Sequence, residues 1–201
     1  NGELLAQPIS YRDDRTKDTM EKILNKISKK NIYKKTGIQF QNFNTIFQLY
    51  EEDDKLVELT DKVLLIPDYL TYRLTGNMAN EETNLSTTQL LNIDKKQLDD
   101  ELLELIGIES RKFPKSIEAG TIVGEIKKEL RNEYDLPACT VIAVGTHDTA
   151  SAIVGVPATN DDWAYLSSGT WSLIGVEIEN SIVTEKALEE NYSNEWGVFN
   201  T

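Results

Sequence analysis

The segment from Thr140 to Gly145 constrains the fold more than any other part of the sequence. It reads TVIAVG, a nearly continuous apolar run rich in β-branched residues, which predicts a strand buried on both faces of a parallel sheet. The following residues, THDTASAIVG, begin with Thr, His and Asp and continue with small residues, which predicts a tight turn and then a helix. A strand, a turn and a helix in this order form the repeating unit of open α/β folds.

Helical periodicity dominates the chain before this strand. Pro67 and Gly76 bracket one helix, because proline is favoured in a first turn and glycine just past a helix end. Few strands accompany the helices: besides TVIAVG, only PISYRD and VLLI qualify, whereas sheets average about five strands. We therefore expect an incomplete α/β sheet, with much of any site outside this chain. The other predicted helices cover Asp14 to Lys30, Asn44 to Glu51, Asp53 to Asp61, Lys95 to Ile106 and Glu125 to Tyr134.

A second domain is predicted to begin near Ala158 to Asp162. After that point the sequence WAYLSSGTWSLIGVEIE contains two β-rich runs around a Ser-Ser-Gly-Thr turn, which is typical of a β-hairpin. We therefore assign residues 1–158 to the later part of one domain and residues 159–201 to the start of another.

Composition restricts the partners and the compartment. The chain has 34 Asp and Glu residues against 21 Lys and Arg, a net charge of −13 that repels nucleic-acid backbones. Cys139 is the single cysteine, so an internal disulfide is impossible and a reducing, cytoplasmic location is expected. No apolar run approaches the roughly 20 residues that span a bilayer. No His, Cys and carboxylate cluster has metal-ligand spacing, so a divalent ion is expected to arrive with a nucleotide.

Asp148 is the leading candidate for chemistry. Ligands of open α/β sheets bind beyond the carboxyl ends of the strands, where the turn after TVIAVG lies. A carboxylate at this edge can accept the proton of a substrate hydroxyl whose oxygen attacks phosphorus. The alternative is that Asp148 only caps the helix that follows it. The residues alone leave both interpretations open.

The neighbouring candidates also have ordinary structural interpretations. His147 is the only histidine, and it could be a buried side chain satisfied by hydrogen bonds. The turn from Ser168 through Gly169 to Thr170 could hold phosphate with hydroxyl and backbone donors, or it could be a plain hairpin turn. Neither GxxxxGK[ST] nor GxGxxG occurs, which excludes a Walker-type or Rossmann nucleotide site from this stretch.

The combination of GTHDTASA with AYLSSGTWSLIGVE strongly resembles the FGGY carbohydrate kinases. The separation between Asp148 and Thr170, 170 − 148 = 22 residues, is also similar to the family arrangement. The resemblance covers nearly the whole chain, since four further stretches follow the family in order: PISYRDDRT, TGIQFQNFNTIFQL, LLIPDYLTYRLTG and NEETNLSTTQLLNI.

This resemblance implies two ribonuclease-H-like domains of the actin-like ATPase superfamily that close on a sugar and Mg-ATP. It implies that Asp148 is the general base of an ATP-dependent sugar kinase. By the same resemblance His147 and Thr149 would contact the sugar. Thr170, with Gly169 and Ser168, would lie at the ATP phosphates.

The HDTAS variant resembles the family members that act on L-rhamnulose, so we expect phosphorylation to L-rhamnulose 1-phosphate in L-rhamnose catabolism. The alternatives are another ketose, L-fuculose or D-xylulose, or a non-catalytic sugar- or nucleotide-binding relative. Arg12 and Phe43 align loosely with sugar-lining positions of the family. The family's amino-terminal phosphate motif, its DTWG-like segment and its adenosine-binding glycines have no counterpart here. We therefore expect that these 201 residues alone do not turn over.

Overall fold

The structure is a computed structural model that describes residues 2–160 and 162–198. The chain forms two compact units, each built from separate stretches of sequence. Unit 1 contains the described residues of 1–63, 86–113 and 182–194, and unit 2 those of 64–85, 114–181 and 195–201.

The elements are numbered in chain order. The helices are α1 (Thr19–Leu24), α2 (Lys29–Thr36), α3 (Thr45–Tyr50), α4 (Asp54–Leu59), α5 (Ile66–Thr75), α6 (Glu82–Ser86), α7 (Asp100–Leu105), α8 (Lys128–Tyr134), α9 (Asp148–Val154) and α10 (Glu185–Glu189). The strands are β1 (Asn80–Glu81), β2 (Leu91–Asn92), β3 (Gln97–Leu98), β4 (Ser116–Ile117), β5 (Ile122–Glu125), β6 (Thr140–Ile142), β7 (Tyr165–Ser168) and β8 (Ser172–Gly175). Short 3₁₀ turns lie at Asp14–Thr16 and Ser110–Lys112.

Unit 1 is mainly helical. Helix α1 packs on α3, and α2 packs on both β2 and α10, while β2 and β3 form an antiparallel pair. The core of the unit consists of large apolar side chains that the helices turn inward at helical spacing. Its fully buried members include Ile23, Ile32, Tyr33, Ile46 and Phe47.

The predicted helix from Asp14 to Lys30 is wrong in extent. The structure has a 3₁₀ turn and α1 in this region, and a new helix, α2, begins at Lys29. The break occurs because the Ser28 hydroxyl accepts a hydrogen bond from the Asn31 N–H and thereby caps α2. The apolar spacing of the segment favoured one continuous helix, so the N-cap signal at Ser28 was not recognised.

The predictions for α3, α4 and α5 are confirmed in position. Pro67 lies in the first turn of α5, and Gly76 ends the helix with a positive φ of 84°. Only glycine adopts that backbone conformation without strain. In unit 2, α5 packs against β5 and β6.

Two other helix predictions are right at their ends and wrong at their starts. The segment predicted from Lys95 first forms β3, and α7 begins only after Asp99, whose side chain caps it through the Leu102 N–H. The segment predicted from Glu125 likewise starts with the last residue of β5 and becomes helical at Lys128.

The predicted strands VLLI and PISYRD are not strands in the structure. Residues 63–65 belong to no helix or strand, although Leu65 is extended, and Ile66 already begins α5. The Val63 N–H donates to the Lys112 carbonyl, but no ladder follows. An apolar extended segment becomes a strand only where a neighbouring backbone can pair with it, and the local pattern contains no information about that neighbour.

Strand β6 forms where predicted, but its predicted parallel pairing and full burial are wrong. It pairs antiparallel with β5, with Ile122 opposite Ile142 and an irregularity at Gly124. Ile142 and Val144 are largely exposed, because β5 is its one strand neighbour among the described residues. The parallel pair of unit 2 instead joins β1 to β4, with Asn80 opposite Ser116.

The predicted order of strand, turn and helix is confirmed, since β6 leads through a turn into α9. The predicted hairpin is also confirmed: β7 pairs antiparallel with β8, with Ser168 opposite Ser172. Tyr165 lies opposite Gly175, where a Cβ would be 2.3 Å from the tyrosine oxygen, so glycine makes room for the ring. Strand β7 packs on α9, and unit 2 therefore holds the hairpin beside the helix that Asp148 begins. The predicted domain boundary near residues 158–162 remains a prediction.

No helix in the described ranges combines the length and the apolar character needed to cross a bilayer.

Candidate functional site in unit 2

The turn between β6 and α9 runs from Gly145 to His147. Gly145 sits in close contact with its surroundings: a Cβ there would lie 2.6 Å from Val198 Cγ2 and 3.1 Å from Ser151 Oγ. The Ser151 hydroxyl donates to the Gly145 carbonyl at 2.5 Å, which ties the turn to the first turns of α9. The position therefore requires glycine for lack of space rather than for an unusual φ.

Asp148 is the first residue of α9, and its carboxylate is 99% exposed. Oδ1 accepts a hydrogen bond from the adjacent Thr149 N–H at 2.8 Å. A helix cap instead lies one residue earlier, where it accepts from the second or third helical N–H. Here that N-cap position belongs to His147, whose side chain makes no capping bond. The carboxylate is thus open to solvent, and its bond to the Thr149 N–H also satisfies one backbone donor in the first turn of α9.

His147 lies between two carboxylates. Its side chain is 19% exposed, with Nε2 3.8 Å from Asp148 Oδ1 and Nδ1 3.4 Å from Glu195 Oε2. Nδ1 is buried and has no hydrogen-bond partner among the described residues. Burial raises the pKa of Glu195, His147 lowers it, and the charge of Asp148 raises it further. The alternative of a histidine satisfied by hydrogen bonds therefore does not describe His147.

Thr149, predicted to contact sugar, is buried, and its hydroxyl lies 3.5 Å from Asp148 Oδ1. The structure thus brings three predicted residues, His147, Asp148 and Thr149, together at the start of α9.

A buried carboxylate accepts hydrogen bonds from this turn. Glu81, at the end of β1, is 1% exposed. Its Oε2 accepts hydrogen bonds from the Thr146 N–H at 2.9 Å and from the Thr146 hydroxyl at 2.8 Å. The same oxygen accepts from the Thr83 hydroxyl at 2.5 Å and from the Asn84 N–H at 3.3 Å, while Oε1 accepts from the Thr83 N–H at 3.1 Å. Five donors therefore converge on one side chain.

Thr83 extends this support to the next residue of the turn. Its hydroxyl donates to Glu81 and accepts a hydrogen bond from the His147 N–H at 3.1 Å. Two successive backbone N–H groups, those of Thr146 and His147, are therefore bonded to Glu81 either directly or through one hydroxyl. The residue that follows them is Asp148.

Asp68 anchors Glu81 in turn. It lies in the first turn of α5, and its side chain accepts from the Glu81 N–H at 3.1 Å and from Asn80 Nδ2 at 3.0 Å. The pKa of Asp68 is raised from 3.8 to about 6, mainly by burial and also by the nearby charge of Glu81, while hydrogen bonds from Asn80 and from the backbones of Glu81 and Leu65 partly oppose the rise. The Asn80 carbonyl oxygen is buried without a hydrogen-bond partner among the described residues.

The predicted phosphate turn projects from the β7–β8 hairpin. Ser168, Gly169 and Thr170 are all exposed. The Gly169 N–H donates to the Trp171 carbonyl at 2.8 Å, which closes the turn, and the Ser168 hydroxyl lies 3.2 Å from that of Ser172. A Cβ at Gly169 would meet nothing within 4 Å. The turn therefore presents hydroxyl groups beside open space, which suits an anion.

The predicted sugar-lining residues Arg12 and Phe43 belong to unit 1. Tyr11 connects them: the Arg12 Nε–H donates to the tyrosine oxygen at 3.0 Å, and the ring of Tyr11 meets that of Phe43 edge to face at 5.5 Å. Arg12 and Tyr11 are exposed, so unit 1 presents a cation and an aromatic ring together.

No group of three or more His, Cys, Asp or Glu side chains in the described ranges is arranged to hold a metal ion.

The solved structures similar to this chain define its class as a sugar-kinase fold. A ligand-bound xylulose kinase from Lactobacillus acidophilus matches with a TM-score of 0.80 and 26% identity, covering 92% of this chain and 38% of that one. The predicted fold class is thereby confirmed. The pattern of the FGGY family of carbohydrate kinases, N-terminal domain, matches residues 1–155. The chain belongs to the FGGY family of carbohydrate kinases.

Curated relatives match along the whole chain. A rhamnulokinase of Bacillus subtilis (strain 168) is 54% identical over 200 residues, and one of Ligilactobacillus salivarius (strain UCC118) is 49% identical over 201 residues. Each match covers 100% of this chain and 41% of the relative. The chain therefore spans about two fifths of the length of these relatives.

Sequence reasoning missed Glu81, Thr83 and Asp68 as parts of the site. The stretch NEETNLSTTQLLNI entered only as part of the family resemblance. No local signal marked Glu81, because a glutamate in a polar stretch normally predicts a solvated surface.

Proposed function

We propose that the protein to which this chain belongs is an ATP-dependent kinase that phosphorylates L-rhamnulose at its primary hydroxyl, with Asp148 as the general base. The observation that carries the proposal is the fully exposed Asp148 carboxylate at the start of α9, on a turn held by buried hydrogen bonds. The identities of 54% and 49% to rhamnulokinases support the choice of sugar.

In the proposed reaction the sugar oxygen attacks the γ-phosphorus of ATP. The new bond joins this oxygen to phosphorus, the bond from phosphorus to the oxygen of ADP breaks, and the electron pair leaves with ADP. The hydroxyl proton passes to Asp148, because an alcohol is a poor nucleophile while it keeps its proton. A carboxylate that is 99% exposed and bonded only locally is available for that proton.

The other roles follow the same division. His147 and Thr149 are proposed as sugar contacts beside the base, and Arg12 and Phe43 as further sugar contacts. Ser168, Gly169 and Thr170 hold the ATP phosphates, which fits their exposed hydroxyl groups and the open space at Gly169. Mg²⁺ bound with ATP would supply positive charge that offsets the phosphate charge. The protein is expected in the cytoplasm.

Replacing Asp148 with asparagine in the full-length enzyme tests the base. The substitution keeps the size of the side chain but removes the proton acceptor, so kcat should fall by about 10² to 10⁴ while the sugar KM changes little. Asp135→Asn is the matched control: Asp135 is an exposed acid that ends α8 with a φ of 52°, a conformation that asparagine tolerates. Turnover at the wild-type rate by Asp148→Asn would remove this residue from the mechanism.

A second substrate is favoured by one observation, the similarity to a solved xylulose kinase. Steady-state kinetics with L-rhamnulose, L-fuculose and D-xylulose, followed by coupled detection of ADP, decide between the sugars through kcat/KM. Tight sugar or nucleotide binding without ADP release from any of the three would instead indicate a non-catalytic relative.

A further inference from the structure

We propose that Glu81 is a positioning residue for phosphoryl transfer: its buried carboxylate holds the Thr146–His147 backbone and so sets the place of the Asp148 carboxylate. This inference rests on the proposed role of Asp148 as the base. Glu81 itself is 1% exposed and is not in reach of a substrate.

The geometry links Glu81 to the base in two short steps. Oε2 accepts both the N–H and the hydroxyl of Thr146, at 2.9 and 2.8 Å. It also accepts the Thr83 hydroxyl, which in turn accepts the His147 N–H. The backbone is thus fixed at both residues immediately before Asp148.

The exposure of Asp148 makes this backbone support necessary. Its side chain is 99% exposed, and the described residues beside its Oδ1 are Thr149 and, at 3.8 Å, the His147 ring. Packing therefore does not hold the carboxylate, and its location depends on where the backbone begins α9. A displacement of about 1 Å at a reacting group costs on the order of 10²-fold in rate, so this support should appear in kcat.

A buried carboxylate suits the task better than a neutral side chain. Charge-assisted hydrogen bonds are shorter and about twice as strong as neutral ones, and one carboxylate can accept all five donors. An amide can accept at only one of its two ends.

Two substitutions of Glu81 in the full-length enzyme distinguish the effect of side-chain length from the effect of its negative charge. Glu81→Asp keeps the charge but withdraws the carboxylate by roughly 1.5 Å, beyond hydrogen-bond distance of Thr146. Glu81→Gln keeps the reach, because its amide oxygen can take the place of Oε2, which accepts four of the five bonds. Positioning predicts that kcat falls about 10- to 100-fold in the aspartate variant and less than about 10-fold in the glutamine variant, with both KM values within about threefold. The opposite order of the two variants would overturn the inference.

Combining Glu81→Asp with Asp148→Asn gives the sharpest readout. If Glu81 acts through Asp148, its change should lower kcat by less than about threefold once Asp148 is already replaced. A general loss of structure would instead lower the residual kcat as much as it lowers the wild-type kcat, and that result would refute a positioning role.

Asp99→Asn is the control for stability. Asp99 is a buried carboxylate of unit 1 that accepts from Lys35, Asn92 and the Leu102 N–H. Its replacement should lower the melting temperature but leave kcat unchanged. If Glu81→Asp does not fold, Thr146→Val serves instead: it removes one hydroxyl donor to Glu81, and kcat should fall about 3- to 10-fold at constant KM. A kcat unchanged in Thr146→Val would then count against the inference.

These variants also distinguish a wrong positioning role for Glu81 from a wrong catalytic role for Asp148. An active Asp148→Asn enzyme removes the base itself. An impaired Asp148→Asn enzyme beside a fully active Glu81→Asp enzyme removes only the positioning role.

Discussion

The wild-type protein should lose unfolding free energy as the pH rises toward neutral, because buried Asp68 then loses its proton. Replacing Asp68 with asparagine should remove this loss. Asp68 is 5% exposed and accepts hydrogen bonds from the Glu81 N–H, from Asn80 and from the backbone of Leu65. Burial raises its pKa from 3.8 to about 6. An asparagine can still accept from Glu81, and a rotated Asn80 amide can accept from it with the oxygen that is now buried without a partner.

The magnitude follows from linkage between protons and folding. Between pH 3.8 and about 6 the folded chain binds more protons at Asp68 than the unfolded chain does. The stability that this proton provides is therefore complete below pH 3.8 and is lost as the pH rises through about 6. Each pKa unit corresponds to about 1.4 kcal/mol, so the total loss is about 3 kcal/mol, of which about 2 kcal/mol falls between pH 4.5 and 7.

Urea unfolding at pH 4.5 and 7 measures this difference. The signal is tryptophan fluorescence, since Trp163, Trp171 and Trp196 all belong to unit 2. The unfolding free energy of Asp68→Asn minus that of the wild type should rise by about 2 kcal/mol between these pH values, a midpoint shift of about 1 M at a typical m-value. A difference that stays constant with pH would refute the reasoning.

Asp99→Asn supplies a control of opposite sign. Burial raises the pKa of Asp99, but hydrogen bonds from Asn92 and Lys35 and from the Leu102 N–H outweigh it and leave the pKa below its usual value. The wild type then gains stability above the unfolded pKa of 3.8 and loses it as the pH falls through the lower folded value. The effect of Asp99→Asn therefore has the opposite sign and lies below about pH 3.8, so its unfolding free energy relative to the wild type should stay nearly constant between pH 4.5 and 7.

Two further predictions concern a glycine and the phosphate turn. Gly37→Ala should lower the unfolding free energy by about 2 to 3 kcal/mol, since the φ of Gly37 is 68° and a Cβ there would lie 2.9 Å from Asn194 Cβ. Gly76→Ala should lower it by about 1 kcal/mol, because Gly76 also has a positive φ but a Cβ there would meet its nearest neighbour at 3.8 Å. Equal losses in thermal unfolding would show that the contact is irrelevant. Thr170→Ala should raise the ATP KM of the full-length enzyme about tenfold, the value of one hydrogen bond to a charged group, and an effect on the sugar KM alone would contradict the assignment.

The parts of the site that lie within one local pattern could be predicted from the sequence. TVIAVG followed by THDTASA predicts a strand, a turn and the start of a helix within one short stretch, and the structure has β6 and α9 at these places. The turn SSGT between two β-rich runs similarly predicts the hairpin. In both cases propensity and turn chemistry act over a few residues, so neighbours distant in sequence could not override them.

The support of the turn could not be predicted, because it depends on a contact across the sequence. Glu81 and Thr146 are separated by 65 residues, and their hydrogen bonds form only because β1 and the turn after β6 meet in unit 2. A glutamate in a polar stretch normally predicts a solvated surface. The pairing of β6 failed as a prediction for the same reason, since the apolar run indicates a strand without identifying its neighbour.

Three carboxylates of unit 2 divide their tasks according to exposure. Asp148 is exposed, where a substrate hydroxyl can reach it, and Glu81 and Asp68 are buried, where they can only hold the backbone. A side chain that must meet a substrate cannot also be fixed by packing, so the precision of its position has to come from the chain beneath it. Asp68 accepts a hydrogen bond from the Glu81 N–H, and Glu81 accepts one from the Thr146 N–H. The Thr83 hydroxyl, itself bonded to Glu81, accepts one from the His147 N–H. The buried pair therefore fixes the backbone just before Asp148, which is the support that the proposed base needs at the start of α9.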